Sequence, residues 1–79
     1  MMTYKTKGVC STSIQVELKE GIIQSVDFAG GCNGNLQGIS RLVEGMTATE
    51  AIKRLQGIHC GNRFTSCPDQ LAKALETMI

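Results

Sequence analysis

At 79 residues, with eight Lys and Arg against seven Asp and Glu and a formal net charge of +1, the chain has room for one domain over residues 1–79 and lacks the basic excess of a nucleic-acid-binding module. Its aromatic residues are Tyr4, Phe28 and Phe64, too few to stack on bases, so no nucleic-acid partner is expected. Neither a membrane-spanning apolar run nor a basic segment leading into an apolar one is present, so no membrane association is expected and the inferred compartment is the cytoplasm.

Met2-Thr3-Tyr4-Lys5-Thr6 alternates bulky with polar residues and reads as an edge strand that ends at Lys7-Gly8. From Thr12 to Leu18, Ile14, Val16 and Leu18 alternate with Ser13, Gln15 and Glu17, the period of a strand with one wet face. Lys19-Glu20-Gly21 then reads as a three-residue hairpin turn, with the glycine at the position that needs positive φ. On the returning strand Ile22, Val26 and Phe28 are expected to share one face, with Ser25 and Asp27 opposite.

Ala29-Gly30-Gly31 ends that strand. Asn33 or Asn35 is placed to cap a helix to about Glu44, whose apolar positions are Leu36, Ile39, Leu42 and Val43 and which Gly45 stops. Thr47 and Glu50 form a T-x-x-E capping box ahead of Ala51, Ile52 and Leu55, so a second short helix is expected to end near Gly57. Pro68 suits a first helical position with Ser66 or Cys67 as the cap, and Leu71, Ala74, Leu75 and Met78 form the stripe of a third helix. The expected fold is α+β, a three-stranded antiparallel meander followed by three helices packed on one face.

The four cysteines, Cys10, Cys32, Cys60 and Cys67, all fall between the predicted elements, where packing gives no reason for them. A domain this small commonly depends on a disulfide, a metal or a partner, and in a reducing compartment thiols serve metal binding or redox chemistry more often than structural disulfides. Cys10 lies between strands one and two and Cys32 follows strand three, which an antiparallel meander brings to the same end of the sheet. The loop between Cys60 and Cys67 need only fold back over that end to gather four sulfurs. Four thiolates suit a closed tetrahedral zinc site, and equally an iron–sulfur cluster, although no C-x2-C pair marks the site. Buried apolar thiols and a disulfide framework are the alternatives. Cys67 has a further reading: at the amino end of a helix its thiolate is favoured by the macrodipole, which would make it redox-reactive.

His59 and Asp69 stand close enough in sequence to be ligands, but a solvated histidine and a first-turn helix acid account for them. Arg63 reads as a solvated arginine or as a neutralising charge beside a tetrathiolate. Gly31, Gly34 and Gly38 lack the lysine and the spacing of a phosphate loop, so close packing of the first helix on the sheet is the expected reason for Gly34 and Gly38. No Ser-His-Asp set or carboxylate pair implies catalysis.

The run Thr65-Ser66-Cys67-Pro68-Asp69, with Gly31-Cys32-Asn33-Gly34-Asn35 and Cys60-Gly61, resembles the TSCPD domain family over nearly the whole chain. In that family the domain stands alone or at the carboxyl end of adenosylcobalamin-dependent ribonucleotide reductases, and the resemblance implies a cysteine-bound metal. A weaker resemblance crosses the same residues: strand, Cys10, hairpin, Gly31-Cys32 and His59-Cys60 before the last helix are similar to the IscU/NifU-type iron–sulfur scaffold. That resemblance implies an IscU/NifU-like fold with Cys10, Cys32 and Cys60 as cluster ligands. Here, however, Cys10-Ser11-Thr12 lacks the scaffold's aspartate, the Pro-rich segment before the last cysteine is missing, and Cys67 is extra. These departures argue for a closed site that retains its metal.

The expectation is thus a metal-binding module without catalysis of its own, holding zinc in preference to an iron–sulfur cluster on Cys10, Cys32, Cys60 and Cys67. Its expected role is as an accessory or interaction unit related to the ribonucleotide reductase tail. An iron–sulfur scaffold or carrier, or a dithiol redox protein using Cys60 and Cys67, is the rival reading. A ribonucleotide reductase or another protein is the expected partner, and a homodimer is compatible with the sequence.

Overall fold

The computed structural model describes residues 2–6, 11–30, 33–59, 61 and 65–79. Three strands, β1 (Met2–Lys5), β2 (Ser11–Lys19) and β3 (Ile22–Gly30), are followed by three helices, α1 (Asn33–Val43), α2 (Ala48–Leu55) and α3 (Cys67–Met78). The sheet has the order β1-β2-β3 with both pairings antiparallel, the expected α+β meander.

The alternation along β2 does what its period dictates. Ile14 and Val16 are buried at 0% and 1% exposure, Gln15 and Glu17 face solvent, and Tyr4 and Met2 of β1 lie beside Ile14 and Val16 in register. All three helices cover that one apolar face: Val43 of α1, Ala48 and Ala51 of α2 and Leu71 and Leu75 of α3 close a single cluster with Ile14, Val16, Ile23 and Val26. Burying a side chain the size of Leu75 removes it from water at a gain of roughly 1.5–3 kcal/mol.

Two local features of the hairpin depart from expectation. The turn has two residues, because Lys19 pairs directly with Ile22, and both Glu20 (φ 54) and Gly21 (φ 78) lie in the left-handed region. That is the backbone signature of a type I′ turn, whose twist matches that of the flanking strands. Further along, Leu18 pairs with Ile23 but Glu17 pairs with Ser25, so Gln24 is the extra residue of a β-bulge. The bulge shifts the side-chain phase by one position. Ile23, at 1% exposure, thereby takes the core place expected for Ile22, which is only half-buried. A second irregularity, at Thr12, lies between the Ser11–Gly30 and Ser13–Ala29 pairs.

The bulged start of β3 is also where the α1–α2 connection docks. Ile23 N–H donates to the Met46 carbonyl (2.9 Å), Gly45 N–H to the Ile23 carbonyl (2.8 Å) and Ala48 N–H to the Gly21 carbonyl (2.8 Å), with Thr47 bridging Ile22. This connection therefore covers the first part of the β3 edge, which would otherwise present unpaired backbone groups.

Helix starts follow the capping chemistry, with differences in detail. Thr47 accepts from Glu50 N–H at 3.2 Å, while the Glu50 carboxylate pairs with Arg54 one turn on (2.8 Å). Ser66 is the cap of α3, accepting from Asp69 N–H at 3.1 Å, so Cys67 is its first helical residue. Leu42, expected in the apolar stripe of α1, is 78% exposed, because Leu36, Ile39 and Val43 already span the buried arc. Gly34 and Gly38 are exposed and a Cβ at either would meet nothing within 4 Å, so close packing on the sheet is not their purpose.

A glutamate in the left-handed region carries a steric cost that glycine avoids. Glu20→Gly is expected to raise the unfolding free energy by about 0.5–1 kcal/mol. Urea denaturation with an unchanged slope checks this, and an unchanged or lower midpoint would count against the turn geometry.

Candidate functional site

Of the expected ligands, Cys10, Cys32 and Cys60 lie outside the described residues, as does Arg63. Cys67 is half-buried at the opening of α3. His59 is exposed on the segment leading from α2 toward Cys60. Among the described residues no three His, Cys, Asp or Glu side chains are grouped to hold a metal ion.

The described residues around these positions fix where the chain enters and leaves. Ser11, the neighbour of Cys10, is the Cα partner of Gly30, and Lys5 pairs with Ser13 just beyond, so all three strands have their Cys-proximal ends on one side of the sheet. At the opposite end of β1, the Thr77 hydroxyl lies 3.9 Å from the Met2 sulfur, which sets the carboxyl end of α3 over the start of that strand. Cys67, ten positions earlier on a helix rising 1.5 Å per residue, lies roughly 15 Å from that contact. Gly61, directly after Cys60, has φ 59, a left-handed turn that a glycine makes at little steric cost.

The polar residues of the same segment form a buried network. Asp69, at 5% exposure, accepts Gly57 N–H on Oδ1 (2.8 Å) and the Thr65 hydroxyl on Oδ2, with Lys73 Nζ 3.4 Å from the latter oxygen. Gln70 Nε2 donates to the Thr65 hydroxyl oxygen at 2.9 Å, and Gln70 N–H to the Ser66 carbonyl at 2.8 Å. Burial opposes the charge on Asp69, but the Thr65 and Gly57 hydrogen bonds and the Lys73 ammonium outweigh it and hold the carboxyl below its ordinary value.

Asp69 is thus more than the first-turn acid expected of a helix start. Both of its oxygens are engaged by the chain, which gives this carboxylate a structural role. The local sequence carried one signal of this, the polar residues Thr65, Ser66, Asp69 and Gln70 directly ahead of the apolar stripe. It carried no signal of the partner, Gly57, which reaches Asp69 only through the fold. A groove of about 420 Å³ between β3 and α1, lined by Val26, Phe28, Leu36, Ser40 and Arg41 among others, contains no thiol among its described lining residues.

A family model described as the TSCPD domain matches residues 2–79. The chain belongs to the TSCPD domain family. No curated protein and no solved structure matches it. In this TSCPD domain the residues that spell the family signature have structural roles: Thr65 and Asp69 form the buried clamp, and Ser66 caps the helix. Pro68 occupies a first-turn position where a missing N–H costs nothing, and Cys67 supplies the thiol.

Removing the carboxylate strands the part-buried Gly57 N–H and the buried Thr65 hydroxyl, so Asp69→Ala is expected to lower stability by about 1–3 kcal/mol. Because the folded-state pKa of Asp69 lies below its unfolded value near 3.9, its stabilisation is complete above that value and is lost as pH falls through the folded-state pKa. Denaturation midpoints measured from pH 6 downward are expected to show this acid loss in the native sequence and to show it reduced in Asp69→Asn. Parallel profiles for the two would contradict the clamp.

Proposed function

We propose that the chain is a small metal-binding module in which Cys10, Cys32, Cys60 and Cys67 hold one zinc ion, in preference to an iron–sulfur cluster. Its role on this reading is that of an accessory or interaction unit for ribonucleotide reductase in the cytoplasm. It has no catalysis of its own. The observation that carries the reading is the arrangement of the described residues that flank the thiols. Lys5, Ser11 and Gly30 share one end of the sheet, and α3 runs away from the start of β1, with Cys67 at its far end.

The donor chemistry fits the metal. Four soft thiolates complete a tetrahedral shell and leave no open position, the pattern of a structural zinc site. A bound ion would contribute folding free energy on the order of 10 kcal/mol, which a chain of this size has reason to need. Membership of the TSCPD family and the reductase-tail resemblance of the signature support the proposed partner. No described helix is long and apolar enough to cross a membrane.

Elemental analysis and an absorption spectrum of protein purified without oxygen or chelator test the site. One zinc per chain without a visible band is the expected result, whereas iron with sulfide and a brown band would replace zinc by a cluster. Each single Cys→Ser change is expected to lower occupancy and thermal stability together. Full occupancy with unchanged stability in Cys67→Ser would remove that residue from the site.

A further inference from the structure

Beyond its docked start, the outer edge of β3 is open. Leu18 pairs with Ile23, whose N–H and C=O both turn away from β2 and bond the Gly45–Met46 connection. Backbone direction alternates along an antiparallel strand, so Val16 and Ile14, which share the parity of Leu18, also turn their N–H and C=O away from β3. Their partners Val26 and Phe28 therefore turn theirs to the free edge. Among the described residues no turn, loop or cap reaches these edge groups. They border the groove of about 420 Å³ between β3 and α1, where Val26, Phe28 and Leu36 supply apolar surface and Asp27, Arg41 and Glu44 are exposed. None of those three charged residues forms an ion pair among the described residues, and together they hold one more acid than base.

We propose that this edge and groove receive an extended peptide of a partner protein, one that alternates basic with apolar residues and adds a fourth strand beside β3. Val26 and Phe28 donate and accept the bonds of the new ladder. Because side chains alternate between the faces of a strand, the peptide's apolar residues lie toward the groove and its basic residues beside Asp27, on the face away from the helices. Asp27 selects this occupant over a second copy of the chain. The antiparallel register that pairs Val26 with Phe28 of a second copy sets Asp27 directly opposite its own counterpart, and like charges so placed repel. Charges at a sheet edge are a common guard against such self-pairing. A lysine or arginine in the same place is attracted instead. The surface shares no residue with the cysteines, so the proposal does not depend on metal binding.

The probe is the peptide acetyl-Thr-Val-Lys-Val-Lys-Val-Thr-amide, added to the isotopically labelled full-length chain and followed by backbone amide shifts and amide hydrogen exchange. Shifts concentrated at the Val26 and Phe28 amides are expected, with exchange at both slowed about tenfold at saturating peptide. The same peptide with both lysines replaced by glutamate is expected to bind on the order of tenfold more weakly, and Asp27→Lys to reverse that order of preference. Should Asp27→Lys fail to fold, the two peptides on the native chain decide alone. Absence of shifts at Val26 and Phe28 up to millimolar peptide overturns the proposal, as does equal affinity for the two peptides. Shifts at these amides that appear with rising protein concentration in the absence of peptide would give the edge to a second copy and overturn it as well.

Discussion

A three-stranded sheet with one apolar face is marginal in water until something covers that face, and nearly everything else in this molecule follows from how it is covered. The face is short, carried mainly by Ile14 and Val16 on the central strand and Ile23 and Val26 on its neighbour. Leu71 and Leu75 of α3, both fully buried, join these residues directly, while Val43, Ala48 and Ala51 bring in the other two helices. Ala48 and Ala51 are the buried residues of α2, which packs against α3, and its exposed residues Lys53 and Arg54 stay in water.

Covering the face leaves polar backbone that must find partners, and two devices handle it. The connection from Gly45 to Thr47 lies along the start of β3 and exchanges backbone hydrogen bonds with Ile23. Asp69 does the corresponding work for the α2–α3 connection by accepting from Gly57 across the fold. Burying a carboxylate is costly unless its oxygens are occupied, and here hydrogen bonds and Lys73 occupy them. Among the described residues no buried side-chain nitrogen or oxygen lacks a partner.

This arrangement gives the family signature a physical meaning. Its hydroxyls and its carboxylate belong to the scaffold, and its cysteine stands on the turn they hold rigid. A thiol presented by a fixed helix turn loses little freedom when it binds an ion, so structure and proposed chemistry share one short segment.

The elements themselves were legible in the chain, because alternation in β2, the cap at Thr47 and the Ser66 and Pro68 start of α3 are local signals spanning a few residues. The exposed Leu42, the bulge at Gln24 and the two-residue turn at Glu20-Gly21 were not. A bulge moves the apolar phase by one residue, and whether Ile22 or Ile23 enters the core depends on which partner β2 offers. The cysteines were expected between elements, but Cys67 is the first residue of α3, and Cys10, Cys32 and Cys60 lie outside the described residues. Sequence alone therefore determined the order of strands and helices and the chemical character of the thiols, both properties of short stretches of chain. Only the tertiary structure decided that Asp69 is a buried clamp, because its partner Gly57 lies on the far side of a loop, and what a side chain meets across a loop is set by packing.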